Sequence, residues 1–176
     1  MTDTALILRA AAFAADKHRN QRRKDAEASP YINHPLSLAT ILANEGGITD
    51  TRVIAAALLH DTVEDTETTL DELRHAFGEE IASIVAEVTD DKSLPKEERK
   101  RLQVQKASSK SDAAKLVKFA DKVSNLRDIA ATPPAAWDKE RRQAYFDWAA
   151  KVVRGLRGVN PDLEARFDEA FAARPQ

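Results

Sequence analysis

Apolar residues recur along this chain at three- and four-residue intervals, strand-like alternation is nearly absent, and the pattern predicts an all-α fold. Thr4 is the expected N-cap of a first helix running to about residue 18, with Leu6, Ala10, Phe13, Ala14 and Lys17 forming a stripe with one wet end. Polar sequence follows from Asn20 to Ser29, and Pro30-Tyr31-Ile32-Asn33-His34 reads as a loop leading into a helix from Pro35 to Glu45, closed by Gly46-Gly47. Asp50 or Thr51 caps the next helix, whose run Val53-Ile54-Ala55-Ala56-Ala57-Leu58-Leu59 is apolar on every side and is expected at the centre of the molecule. Further helices are expected at about 70–77, 79–89, 95–107, 112–131, 137–156 and 161–173, separated by Gly78, Pro95, Pro133-Pro134, Gly158 and Pro161. Ser108-Ser109-Lys110-Ser111 reads as a mobile loop.

At 176 residues the chain fits one ordinary domain, expected to span 1–176, with no room for a second catalytic module. Its 27 basic and 29 acidic residues leave a formal charge of −2, which offers no bulk attraction to nucleic acid or to an anionic membrane. An anionic small molecule must then be met by a local cluster of cations. There is no cysteine, so disulfides, thiolate nucleophiles and Cys-based zinc sites are excluded, and a metal could be held only through nitrogen and oxygen. Neither a secretory signal nor a membrane-length apolar run is visible, which makes a cytoplasmic address the expectation. The pattern carries no signal of an oligomeric state.

The informative chemistry begins at His60-Asp61-Thr62-Val63-Glu64-Asp65, which places four ionisable side chains at the end of an otherwise apolar helix. Such groups, buried without partners, cost on the order of ~3–5 kcal/mol each, and a cation compensates them economically. Helical spacing sets Glu64 one turn after His60 and Asp65 one turn after Asp61. Asp121 follows the apolar Leu116, Val117, Phe119 and Ala120, with Asn125 one turn later, and His34 offers a second imidazole just before a helix start. Two imidazoles with two carboxylates suit Mn²⁺, Fe²⁺ or Zn²⁺ with open water positions. Each piece alone has a plainer reading: a histidine before a proline is usually a satisfied loop residue, and Asp121 could pair with Lys118 or Lys122. His18 and His75, on polar stretches, are read as structural.

The order His34, His60-Asp61, Asp121 resembles the HD superfamily of metal-dependent phosphohydrolases. Tyr31-Ile32-Asn33-His34-Pro35, Ala57 through Asp65 and Lys115 through Lys122 are similar, more narrowly, to the hydrolase domain of the RelA/SpoT alarmone enzymes, and most of all to its stand-alone, Mesh-like small alarmone hydrolases. The likeness runs from about Leu8 to Leu156 and takes in Glu87 through Lys92 and Tyr145 through Ala150. It implies an HD-type helical bundle and a Mn²⁺-dependent enzyme that removes the 3′-pyrophosphate of (p)ppGpp, leaving GDP or GTP. It also implies His34, His60, Asp61 and Asp121 as metal ligands and Glu64 and Asp65 as the catalytic acidic pair. Arg23, Lys24 and Asn125, with Arg141 and Tyr145, fall on nucleotide-contacting positions. Two departures bear on how the base is gripped: Asn20 stands where the long enzymes usually have glycine, and Ser124 replaces a bulkier residue.

A divalent cation in such a site lowers the pKa of water it holds from ~15.7 toward neutrality. Glu64 could then orient or deprotonate the water while Asp65 assists or protonates the leaving oxygen. Arg22-Arg23-Lys24 supplies cations for phosphate, whereas Lys92, Lys96, Arg99, Lys100 and Arg101 have the spacing of a solvated helix face. The rival readings are an NADPH 2′-phosphatase, a function associated with the animal relatives, another HD nucleotide phosphohydrolase, and a non-catalytic HD domain that senses nucleotide. Inactive forms typically lose a ligand, and all four are present.

Overall fold

The computed structural model describes residues 1–176, and its regular structure is helical, with only two isolated β-bridges, Arg22 to Pro30 and Asp25 to Pro134. The helices are α1 (Asp3–Lys17), α2 (Asn33–Thr40), α3 (Thr51–Leu59), α4 (Thr62–Asp65), α5 (Leu70–Phe77), α6 (Glu79–Val88), α7 (Lys96–Lys106), α8 (Asp112–Ala131), α9 (Lys139–Arg154) and α10 (Pro161–Phe171). The expected all-α fold is what the chain adopts.

Helix α3 is the hub, as its all-round apolar surface requires: Val53 through Leu59 are all buried, and α1, α2, α6 and α8 pack around it. Asp50 caps it by accepting the Arg52 amide. Helix α8 lies beside it and is capped by Ser111. It buries Phe119, Ala120, Val123 and Leu126 together with the charged Lys118, Asp121 and Lys122. Charged side chains at the middle of a buried helix are what mark the functional interior. Helices α9 and α10 pack on α8, α7 packs on α9, and α9 ends where Gly155 passes Ala107. A Cβ at Gly155 would sit 2.7 Å from that of Ala107, so only glycine permits this approach.

Several sequence expectations are corrected. The first cap is Thr2, which accepts the Ala5 amide. Asn33 and His34 belong to α2 rather than to a preceding loop, because Pro35 fits within a first turn whose amides have no intrahelical partner in any case. That helix is not regular to Glu45: Ile41–Glu45 forms a π turn in which the Gly46 amide reaches the Ile41 carbonyl. The ninth helix starts at Lys139, after its Asp138 cap, and not at Trp137. The expected mobile loop at residues 108–111 is tied down, because Lys110 Nζ donates to the Glu87 carbonyl and the Ser111 amide and hydroxyl donate to the Glu87 carboxylate. No helix is long and apolar enough to cross a membrane.

Candidate metal centre and nucleotide cavity

Three helices deliver the centre. His34 comes from the first turn of α2, Asp121 from the middle of α8, and His60 and Asp61 from the break between α3 and α4. The break matters geometrically, since α3 ends at Leu59 and the two residues of the turn present both side chains to the same space. The His34 ring nitrogen Nε2 lies 3.0 Å from Asp121 Oδ1 and 3.9 Å from Asp61 Oδ2. His60 Nε2 lies 3.0 Å from Asp61 Oδ2 and 3.7 Å from Asp121 Oδ1. Donors bonded to one ion at about 2.0–2.2 Å stand from about 3 Å apart when adjacent to about 4.4 Å when opposite, so these separations fit a shared cation.

The imidazoles are oriented from behind. His60 Nδ1 lies 2.7 Å from the Ala57 carbonyl, so it carries the proton and leaves Nε2, buried and without a hydrogen-bond partner, turned to the centre. His34 Nδ1 faces the hydroxyl of Ser124 at 3.4 Å, and that hydroxyl donates to Ser37 at 2.9 Å. Tyr31 donates its hydroxyl to Asp61 Oδ2 at 2.6 Å. An orphaned buried nitrogen facing two carboxylates is a donor set for a divalent cation. In the metal-free protein a proton takes part of that role: burial opposes charge on His60, but Asp61 and Asp121 outweigh it and raise its pKa to about 10. Burial likewise works against the Asp61 and Asp121 carboxylates. His60 and His34 for Asp61, and Lys122 first for Asp121, hold both below the ordinary range.

Glu64 and Asp65 flank the centre, with one oxygen of each within 4.8 Å of the Asp61 carboxylate. Burial raises the pKa of Glu64 to about 7, despite the Asp90 amide donating to its Oε1 at 2.6 Å. Asp65 pairs with Lys92 through Oδ1, while Gln21 fixes its backbone carbonyl at 2.5 Å. These groups line a cavity of about 260 Å³ around the centre. It adjoins a larger cavity of about 710 Å³, with Arg23, Tyr31, His34, Asp65, Asn125 and Tyr145 shared by both walls. That is room for a nucleotide.

Most of the residues singled out from the sequence meet here. Arg23 and Lys24 line the larger cavity, Arg23 also pairing with Asp128 at 3.0 Å. Asn125 donates to the Tyr145 hydroxyl at 2.9 Å and faces Asp121 Oδ1 at 3.3 Å. Arg141 is not brought into either wall: it is exposed and stacks over Trp137 at 4.5 Å. His18, read as structural on a polar stretch, is buried against Tyr31 at 4.8 Å, because the chain after α1 folds back over it. Asp121 pairs with Lys122 at 3.3 Å and not with Lys118. Lys92, expected on a solvated face, lines the larger cavity beside Asp65. Tyr31, Lys118, Gln103 and Trp148 were missed as cavity residues; only the buried setting of Lys118 within an apolar run could have signalled it.

The HD domain family matches residues 10–152. The chain is 60% identical over 170 residues to the guanosine-3′,5′-bis(diphosphate) 3′-pyrophosphohydrolase MESH1 of Xenopus tropicalis, covering 97% of this chain and 95% of that one. It is 57% identical to the MESH1 protein of Homo sapiens over 173 residues, covering 98% and 97%. A solved structure described as a metazoan ortholog of SpoT that hydrolyzes ppGpp superposes with a TM-score of 0.94 at 50% identity, covering 97% of this chain and 96% of that one. With likeness of this extent, and with the histidine and aspartate order gathered in one buried centre, the chain belongs to the HD domain family, among its MESH1-type hydrolases.

Proposed function

We propose that residues 1–176 act as one hydrolase domain, a guanosine 3′,5′-bis(diphosphate) 3′-pyrophosphohydrolase that degrades (p)ppGpp to GDP or GTP and pyrophosphate. The observation that carries this reading is the joining of two cavities: a buried nitrogen and oxygen donor set at the floor of one, and a nucleotide-sized space lined by Arg22, Arg23, Lys24 and Lys92 in the other.

His34, His60, Asp61 and Asp121 would hold the ion, with Mn²⁺ our choice among divalent metals that accept mixed imidazole and carboxylate donors. When bound, the ion supplies Lewis acidity toward a phosphoryl oxygen and toward water. The chain does the rest. Glu64, with a pKa of about 7, can take a proton near neutral pH, and the Asp90 amide on Oε1 leaves the other carboxylate oxygen for it. The water oxygen bonds to the phosphorus next to the ribose, the bond from that phosphorus to the ribose 3′-oxygen breaks, and pyrophosphate leaves. The 3′-oxygen then gains a proton, a transfer we assign to Asp65, which Lys92 and Tyr31 hold at the cavity wall. Arg23 stacks over Tyr31 at 5.6 Å and offers a planar cation at the entrance for base or phosphate, beside Lys24.

Phosphorus NMR of (p)ppGpp and, in parallel, NADPH incubated with the manganese-loaded protein tests the reading. Pyrophosphate from (p)ppGpp is expected. Orthophosphate from NADPH alone would assign the site to a 2′-phosphatase instead.

A further inference from the structure

Among the charges that α8 buries, Lys118 stands apart. It is only 7% exposed, and it lines the cavity of about 260 Å³ together with Glu64, Asp90, Gln103 and Asp121. Its neighbours on the same helix face are accounted for. Lys122 pairs with Asp121 at 3.3 Å and lies 4.1 Å over the Trp148 ring, and Asn125 binds the Tyr145 hydroxyl. Lys118 makes no hydrogen bond and has no carboxylate oxygen within 4.0 Å; it acts on Glu64 only through space. The carboxylates it could have taken are occupied. Glu64 accepts from the Asp90 amide, Asp90 from Gln103 at 2.6 Å, and Asp61 from Tyr31.

The Lys118 side chain is held within the fold while its ammonium, with no protein partner, is left open to the cavity, free to bind something that arrives there. A cation seated among His34, His60, Asp61 and Asp121 would offset the two aspartates, and Arg23, Lys118 and Lys122 would offset Glu64, Asp65 and Asp90, so the cavity wall would carry no net negative charge to repel an anion. An entering anion would give the Lys118 ammonium the partner that the chain withholds. We propose that Lys118 is a catalytic residue whose ammonium binds a non-bridging oxygen of the phosphoryl group under attack and offsets the charge that builds on it. This rests on the phosphohydrolase reading above and adds to it a residue of the cavity that holds the metal donors.

The test compares wild-type chain with Lys118→Met, which keeps length without charge, and Lys118→Gln, which keeps a donor without charge. All are manganese-loaded for two readouts: kcat on (p)ppGpp, and calorimetric binding of inorganic pyrophosphate. Metal content and the thermal midpoint of the metal-free chains are read as well. We expect kcat to fall about 100-fold and pyrophosphate to bind about tenfold more weakly in both variants. Metal content should stay unchanged, and the thermal midpoint should stay or rise, since an unpaired buried charge has been removed. A kcat and pyrophosphate affinity within twofold of wild type would overturn the proposal. So would loss of metal or unfolding of both variants, because the ammonium would then serve the fold. Should the wild type bind pyrophosphate through Lys118 yet leave (p)ppGpp intact, the nucleotide assignment fails while the role of Lys118 stands.

Discussion

Metal and proton should compete for His60. In the metal-free protein its imidazole has a pKa of about 10, set against the opposition of burial by Asp61 and Asp121, so at neutral pH it is protonated. A cation can use Nε2 only after that proton leaves. Over the range below pH 10, each unit of falling pH should weaken apparent metal affinity about tenfold, or ~1.4 kcal/mol. Between pH 7.0 and 8.5 the expected gain is about 30-fold. The same linkage gives a sign for stability. Because the folded pKa lies above the unfolded value near 6.5, the contribution of charged His60 is fully present below about pH 6.5 and is lost as pH rises toward 10. Chelator-treated protein should therefore lose thermal stability across that window, and loaded protein should not lose it. Calorimetric titration of Mn²⁺ in two buffers of different ionisation enthalpy reads the released proton directly. About one proton per metal at pH 7.5 is expected; no proton release, with affinity flat from pH 7.0 to 8.5, would refute the reasoning.

Asp61→Ala and Asp121→Ala should each abolish metal retention and turnover, whereas Glu64→Ala should keep the metal and lose kcat by about 100-fold, as metal analysis beside the product assay would show. Tyr31→Phe removes the 2.6 Å bond to Asp61 and should weaken metal binding about 10- to 100-fold by calorimetry, with the fold intact by circular dichroism. Leu58→Ala empties a fully enclosed site in the central helix and should cost about 2–5 kcal/mol in denaturant unfolding. Gly155→Ala drives a methyl to 2.7 Å from the Ala107 Cβ and should lower the thermal midpoint by separating α9 from the segment that leads into α8.

Periodicity carried the helices because each buries a distinct stripe: α3, apolar all round, could only be central, and it is. The boundaries slipped where local rules compete. Pro35 reads as a first helical residue, yet a proline is equally at home later in the first turn, so α2 begins at Asn33. The π turn at Ile41–Glu45 leaves no trace in an apolar pattern. At the centre, the bare chemistry of His60-Asp61 and Asp121 was visible because charge within an apolar run demands compensation. The supports were not: Tyr31 bonds to Asp61 across 30 residues, and Gln21 to Asp65 across 44. Lys118 looked like an ion-pair partner because sequence spacing cannot say which of two lysines a neighbouring aspartate chooses.

The account depends on a single ion among four donors. Anomalous diffraction from crystals of the manganese-loaded protein, collected on both sides of the manganese edge, locates it directly. One peak per chain is expected, about 2.0–2.2 Å from His34 Nε2, His60 Nε2, an Asp61 oxygen and an Asp121 oxygen. A peak bound elsewhere, or one that leaves either histidine uncoordinated, would contradict the account.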